Sequence, residues 1–256
     1  MKAAPMTASS WISRTTSSTS PASSSSPILI TLGPARVCFT GRAEGDLGHG
    51  GEYVHAVDPA VEARRRAVVD RPWSWLRQVH GDTVLVVDGP GSGAGAVADA
   101  SATTNGTAAL AVLTADCAPI ALAAPEGVVA VVHAGWRGLV AGVIDAAART
   151  VRDLGGSRIE AALGPCIHPG CYEFGAGDLD AVAAACGPAV RSRTTEGRPA
   201  LDLPTAVRTM LTRAGVELAY DAGTCTACAG DRYFSHRARQ DRGRQGVVAW
   251  LPAPAP

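Results

Sequence analysis

From residue 28 onward, the apolar positions group into short runs of two kinds. Residues 28–32 and 37–40 are β-type runs separated by Gly33-Pro34, a pattern that predicts a hairpin. Residues 73–79 and 83–87 read as two further strands joined at His80-Gly81. The runs 108–113, 119–124 and 128–132 are apolar without alternation, which points to strands covered on both faces. Helical spacing appears over 139–154, where Val140, Val143, Ile144, Ala147, Val151 and Leu154 share a face and Gly155-Gly156 ends the run. Helices are also expected at 62–69, 178–186 and 204–214, and late strands at 216–219 and 247–251. Doubly covered strands beside an amphipathic helix predict a layered α/β sandwich.

The two ends break this pattern. Residues 1–27 are mostly Ser and Thr with almost nothing to bury, so they read as a disordered tail that lacks the apolar core of a secretory signal. Residues 28–251 show no repeat or internal linker and are expected to form a single catalytic domain, with 252–256 as a frayed Pro-Ala-Pro-Ala-Pro end. The chain has 256 residues, with 23 Lys and Arg against 23 Asp and Glu, and so lacks the basic excess of a nucleic-acid-binding domain. No apolar run approaches the roughly 18 residues of a membrane helix. Seven cysteines in a chain this long do not make a dense disulfide framework, so mostly free thiols and a cytoplasmic, reducing location are expected. The sequence carries no signal for oligomeric state.

Candidate chemistry lies at the strand ends. His80, Cys117 and His133 each stand at or beside a strand end next to Gly or Pro, where side chains can converge at a sheet edge. Two imidazoles and a thiolate suit zinc and leave a fourth position open, although spacing alone favours an ordinary buried Cys and two surface or core histidines. Gly135 and Gly138 around Trp136-Arg137 suggest an anion site at a helix N-terminus, with Arg137 and Arg42 as cations. Asp116 and Asp99 could orient an imidazole, handle a proton or simply cap loops. The Gly89 to Gly95 loop leads into no convincing helix, so a dinucleotide site is rejected. Cys225-Thr-Ala-Cys228 is an isolated C-x-x-C that reads as structural or incidental, and Cys166 and Cys171 flank a tight loop where packing is favoured over a disulfide.

Taken together, Gln78-Val-His-Gly, Ala98-Asp-Ala, Thr114-Ala-Asp-Cys, His133-Ala-Gly-Trp-Arg-Gly, Gly164-Pro-Cys-Ile, Cys171-Tyr-Glu, Leu201-Asp-Leu, Cys225-Thr and Phe234-Ser-His-Arg resemble the bacterial laccase-domain family. That family is also called the multicopper polyphenol oxidase or purine nucleoside phosphorylase family, and the peptidoglycan editing factor group lies within it. The resemblance spans 35–251 and implies an α+β fold, a layered sandwich with mixed β-sheets akin to the cytotoxic necrotizing factor catalytic domain. It implies one zinc per chain on His80, Cys117 and His133, and phosphorolysis of purine nucleosides, with adenosine deamination also attributed to members. Small-molecule nucleoside and phosphate are then the partners. Catalytic roles fall on Cys117, Arg42 and Asp116, and substrate or phosphate contacts on Arg42, Gln78 and Arg137. Two departures stand out: Arg42-Ala-Glu-Gly-Asp-Leu-Gly replaces a usual Arg-x-Gly-Gly-Val-Ser stretch, and His236 stands where an aromatic residue is common.

Counting histidines tests the copper reading. A multicopper laccase centre needs roughly ten, and this chain has six, so copper is compatible with the three-residue site but not with a laccase cluster. The main alternative is a cysteine-type hydrolase acting on peptidoglycan precursors, with Cys117 as nucleophile and His133 as base. A non-catalytic binding protein is the third class.

Overall fold

A computed structural model of the chain describes residues 26–48 and 58–252. The expected disordered tail lies outside the described residues, Ser26 and Pro27 excepted, as do residues 253–256 of the expected frayed end.

The fold is mixed α+β, built on two large sheets. The first runs β1 (Ile28–Leu32), β2 (Ala35–Phe39), β14 (Gln245–Trp250), β7 (Ala109–Thr114), β3 (Trp73–Arg77) and β5 (Ala96–Val97). The second runs β13 (Glu217–Asp221), β10 (Glu160–Leu163), β8 (Ala118–Ala124), β9 (Val128–Ala134), β6 (Ala100–Thr103) and β4 (Val84–Val86). Each contains parallel and antiparallel pairs, for example β3 parallel to β7 and β8 antiparallel to β9. A small third sheet pairs β11 (Arg191–Arg193) with β12 (Pro199–Leu201). The helices are α1 (Pro59–Val68), α2 (Trp136–Ala141), α3 (Val143–Asp153), α4 (Ala176–Cys186), α5 (Leu203–Arg213) and α6 (His236–Arg239). None of the described helices is long and apolar enough to cross a membrane.

Unalternating apolar strands have a direct explanation in this layering. Along β9, Val129 and Val131 face the first sheet with Phe39, Leu110 and Val247, while Val128, Ala130 and Val132 face the helices with Ile144 and Val151. Both faces are buried, so period-two polarity disappears. On the outer face of the first sheet, Trp73 and Trp75 of β3 form a third apolar cluster with Leu47. There the buried Arg65 of α1 lies over both indoles and donates to the Leu47 carbonyl through Nε and Nη2, at 3.1 and 2.9 Å.

The 28–40 hairpin, the helices near 62–69, 178–186 and 204–214, and the central strands stand where the sequence places them. One expectation changes and two features are new. The helix expected over 139–154 starts at Trp136 and breaks at Gly142, whose left-handed backbone (φ 95°) separates α2 from α3. The strands joined at His80-Gly81 belong to different sheets. β10 is an extra central strand whose Glu-Ala-Ala-Leu sequence favours helix in isolation but is buried between β8 and β13.

Gly246 sets a limit on this packing, because a Cβ there would fall on the carbonyl oxygen of Val112 in the paired strand β7. Neither backbone can give way without breaking the ladder. Gly246→Ala is expected to destabilise the fold by about 3 kcal/mol or more in urea unfolding, and a loss under about 1 kcal/mol would contradict this packing.

Candidate functional site

Three chain segments meet beside the ends of β8 and β9. The β8–β9 hairpin pairs Ala118 with Ala134, so Cys117 leaves the ladder next to Gly135, with His133 one residue inside it. His80 arrives on the segment that crosses from β3 in the first sheet to β4 in the second. The crossing is held at both ends. Gln78 donates through Nε2 to the Leu113 carbonyl (2.7 Å) and accepts from the Leu113 N–H (2.8 Å), which ties it to the end of β7. Asp99, fully buried just before β6, accepts from the N–H groups of Val79, His80 and Gly81 at 3.1, 2.8 and 2.8 Å.

The same carboxylate lies 2.8 Å from His133 Nδ1. That contact directs Nδ1–H to Asp99 and leaves Nε2 facing the site, where it can ligate an ion that displaces its proton. Cys117 Sγ is 3.8 Å from His80 Nε2, and the donor atoms of His80, Cys117 and His133 all lie within 4.8 Å of one another. Tetrahedral zinc, with bonds of about 2.3 Å to sulfur and about 2.0 Å to nitrogen, spaces such donors by roughly 3.5 Å, so the set fits a metal with little adjustment. Gly135 is required by this crowding, because a Cβ there would stand 2.5 Å from His80 Cδ2 and 3.1 Å from Cys117 Sγ.

Backbone and charge are both unusual here. His80 (φ 61°) and Asp116 (φ 100°) have left-handed backbone without being glycine, a strain that the surrounding hydrogen bonds maintain. Burial alone would raise the Cys117 thiol, but the His133 charge and hydrogen bond, reinforced by His80, bring it down to about 6. Burial would lower His133, yet the Cys117 thiolate and the Asp99 hydrogen bond lift it to about 9. Burial would raise Asp99, and the His133 and backbone N–H hydrogen bonds outweigh it, so its carboxyl sits below the usual range.

A cavity of about 360 Å³ opens over these residues, at the lower end of small-molecule sites. His80, Cys117 and His133 form part of its wall, with Gln78, Tyr172, Arg237 and Arg244 around them. Thr114 is also on the wall, and its buried Oγ1 has no hydrogen-bond partner among the described residues.

The remaining expected site residues are placed differently. Asp116 lines the cavity, but its carboxylate oxygens accept from Thr226 Oγ1 and the Arg237 N–H, both at 2.7 Å, so it ties the 225–228 turn and α6 to the position beside Cys117. Arg42 stands outside the cavity wall, paired with Asp241 and stacked 4.4 Å from the Phe234 ring centroid. Asp241 in turn accepts from the Ser235 N–H at 2.9 Å, so Arg42 braces the segment that delivers His236 and Arg237. Arg137 is exposed, 4.4 Å over the Trp136 ring, and is not among the residues lining the cavity, although its charge reaches Tyr172 on the wall; α2 is only six residues long. The helix N-terminus at Gly135 therefore belongs to this short helix and not to a long helix over 139–154. The quoted motifs contain Tyr172, His236 and Arg237 without giving them a role, and no motif contains Arg244.

Comparison with known proteins places these features in context. Residues 49–252 match the family model described as multi-copper polyphenol oxidoreductase laccase. The chain is 43% identical over 181 residues to a Streptomyces coelicolor protein named purine nucleoside phosphorylase SCO2081, covering 69% of this chain and 74% of that one. It is 36% identical over 236 residues to the Pseudomonas aeruginosa purine nucleoside phosphorylase PA4543, covering 85% and 95%. Among solved structures, Neisseria meningitidis NMB0706 superposes with a TM-score of 0.73 at 28% identity, covering 89% of this chain and 99% of that one. YlmD from Geobacillus stearothermophilus gives 0.71 at 27%, covering 86% and 93%.

Two outcomes are expected from this geometry. Asp99→Asn puts an NH2 group against backbone donors and frees the His133 tautomer, so zinc affinity should fall by about ten- to a hundredfold in chelator competition; unchanged affinity would remove Asp99 from the account. In metal-stripped protein, iodoacetamide labelling of the Cys117 peptide should rise as pH increases through about 6, because the thiolate already predominates above that value. A midpoint near 9 would show an ordinary thiol.

Proposed function

The chain belongs to the multi-copper polyphenol oxidoreductase laccase family, and on that premise we propose that it is a zinc-dependent purine nucleoside phosphorylase. It converts adenosine or inosine and phosphate to the free base and ribose 1-phosphate, with adenosine deamination as a second activity of the same cavity. The observation that carries this reading is the convergence of His80, Cys117 and His133 on a cavity whose lining also includes Arg237, which donates to the Glu173 carbonyl and lies over the Tyr172 ring, and Arg244, whose Nη1 donates to backbone carbonyls of residues 241–243. The names of the relatives support an enzyme acting on nucleosides.

Zinc held by His80, Cys117 and His133 would supply a Lewis acid that polarises a substrate oxygen. The chain's own groups account for the rest of the reaction. Arg237 and Arg244 neutralise the phosphate, a role assigned here to the cations on the cavity wall rather than to Arg42 and Arg137. A phosphate oxygen bonds to C1′ as the C1′–N9 bond breaks; the electron pair of that bond leaves with the purine, which takes up the proton given up by the hydrogen phosphate and departs as the free base. Thr114 Oγ1, buried and unpartnered among the described residues, offers a hydrogen bond to the nucleoside. Gln78, Asp116 and Arg42 act as positioning residues: Gln78 fixes the His80 crossing, and the other two fix the segment that carries Arg237.

A second reading rests on one observation, that Cys117, His133 and Asp99 stand in the order of nucleophile, base and orienting carboxylate. It corresponds to a cysteine hydrolase acting on peptidoglycan precursors. His80 weighs against it, since a hydrolase has no need of a second imidazole 3.8 Å from its sulfur, whereas a metal needs the third donor.

Release of hypoxanthine from inosine should require phosphate and be lost in Cys117→Ala. Arg244→Ala should raise KM for phosphate by about ten- to a hundredfold, the loss of one charge-assisted contact, with KM for inosine little changed. Base release without phosphate, or full activity in Cys117→Ala, would overturn the assignment.

A further inference from the structure

Three more sulfurs converge outside the site described above. Cys171 ends the short 3-10 turn Pro169–Cys171, and Cys225 and Cys228 bracket the turn Cys225-Thr-Ala-Cys228. Their Sγ atoms lie within 4.8 Å of one another, with Cys171 and Cys228 at 3.4 Å. Backbone pairing holds the two loops together. Cys166 and Cys225 form an isolated parallel bridge, in which the Cys166 N–H donates to the Thr224 carbonyl (3.2 Å) and the Thr226 N–H donates to the Cys166 carbonyl (3.1 Å). The Ala229 N–H closes the C-x-x-C turn on the Cys225 carbonyl at 3.0 Å. The His168 N–H donates to Cys225 Sγ at 3.4 Å, the kind of contact that supports a metal-bound thiolate.

We propose that Cys171, Cys225 and Cys228 form a second metal site that takes one thiophilic, closed-shell cation of the zinc or copper(I) type. On binding, each thiol releases its proton to solvent and its sulfur bonds the cation, with no change of oxidation state. A disulfide between Cys171 and Cys228 would use two of the sulfurs, require an oxidant and leave the position of Cys225 unexplained. A tetrahedral cation with bonds of about 2.3 Å spaces its thiolates by roughly 3.8 Å and accounts for all three. Cys228 is exposed, so an ion can reach the three sulfurs from solvent.

The site's neighbours indicate a structural role. Tyr172, adjacent to Cys171, is on the wall of the nucleoside cavity, and Thr226, inside the C-x-x-C turn, holds the Asp116 carboxylate beside Cys117. A cation on the three sulfurs therefore clamps together two loops that shape the first site, without touching the substrate.

Zinc counting by native mass spectrometry on the full chain, prepared with reductant and loaded with zinc, tests this directly. Wild type should hold about two ions per chain. Cys228→Ser, a change at an exposed position, should hold about one and melt at a lower temperature than wild type. Cys117→Ala should also hold about one, so failure of this site and failure of the first are distinguishable. With cobalt(II) as probe, Cys228→Ser should lose most of the thiolate-to-metal charge-transfer absorption, whereas Cys117→Ala should keep most of it. Equal zinc content in Cys228→Ser and wild type would overturn the proposal, as would a Cys171–Cys228 disulfide that persists in the zinc-loaded, reductant-treated protein.

Discussion

Asp99 accepts hydrogen bonds from three successive backbone N–H groups and from the imidazole of His133, all in a place from which water is excluded. A buried carboxylate is tolerated only when its lone pairs are filled, and here the groups that fill them are the ones the site needs fixed. The three N–H donors belong to the 79–81 crossing, which holds His80 in a left-handed conformation that a histidine seldom adopts unaided. The imidazole bond orients His133 so that Nε2 faces the site. One side chain thus sets two of the three donors, and the hairpin register between β8 and β9 sets the third.

The layering of the fold makes this arrangement available. Because β8 and β9 are covered by the first sheet on one face and by helices on the other, their polar residues are confined to the strand ends. The crossing from β3 to β4 passes the same edge, and Gln78 pins it to β7 with both ends of its amide. The segment 234–244 returns there as well, bringing Arg237 and Arg244 to the cavity under the control of Asp116, Asp241 and Arg42. The candidate ligand residues and the two arginines therefore come from distant parts of the chain but meet at one cavity.

Much of this was legible in the sequence, for reasons that can be stated residue by residue. Apolar runs without alternation announce doubly buried strands, and Gly or Pro beside His80, Cys117 and His133 marks strand ends where side chains emerge. Family resemblance then groups those three into one ligand set, and the structure brings them within reach of a single ion. Other features were illegible because they depend on pairing between remote segments. Arg42 reads as a free cation until Asp241 is seen beside it, and Arg137 reads as a pocket residue until its helix proves short and its guanidinium lies on Trp136. Asp116 carries the composition of a catalytic acid, but both its oxygens are already engaged. Cys171 meets Cys225 and Cys228 only because the loops are paired by backbone, which spacing along the chain does not encode.

The central claim is that the carboxylate of Asp99 organises a mixed imidazole and thiolate metal centre. X-ray absorption at the zinc edge, recorded on Cys228→Ser protein so that the first site dominates the signal, tests it most directly. The account predicts a first shell of two imidazole nitrogens, one sulfur and one further light atom, with the sulfur lost in the additional Cys117→Ala variant. A sulfur-only shell, or zinc bound with a first shell unchanged by removing Cys117, would contradict it.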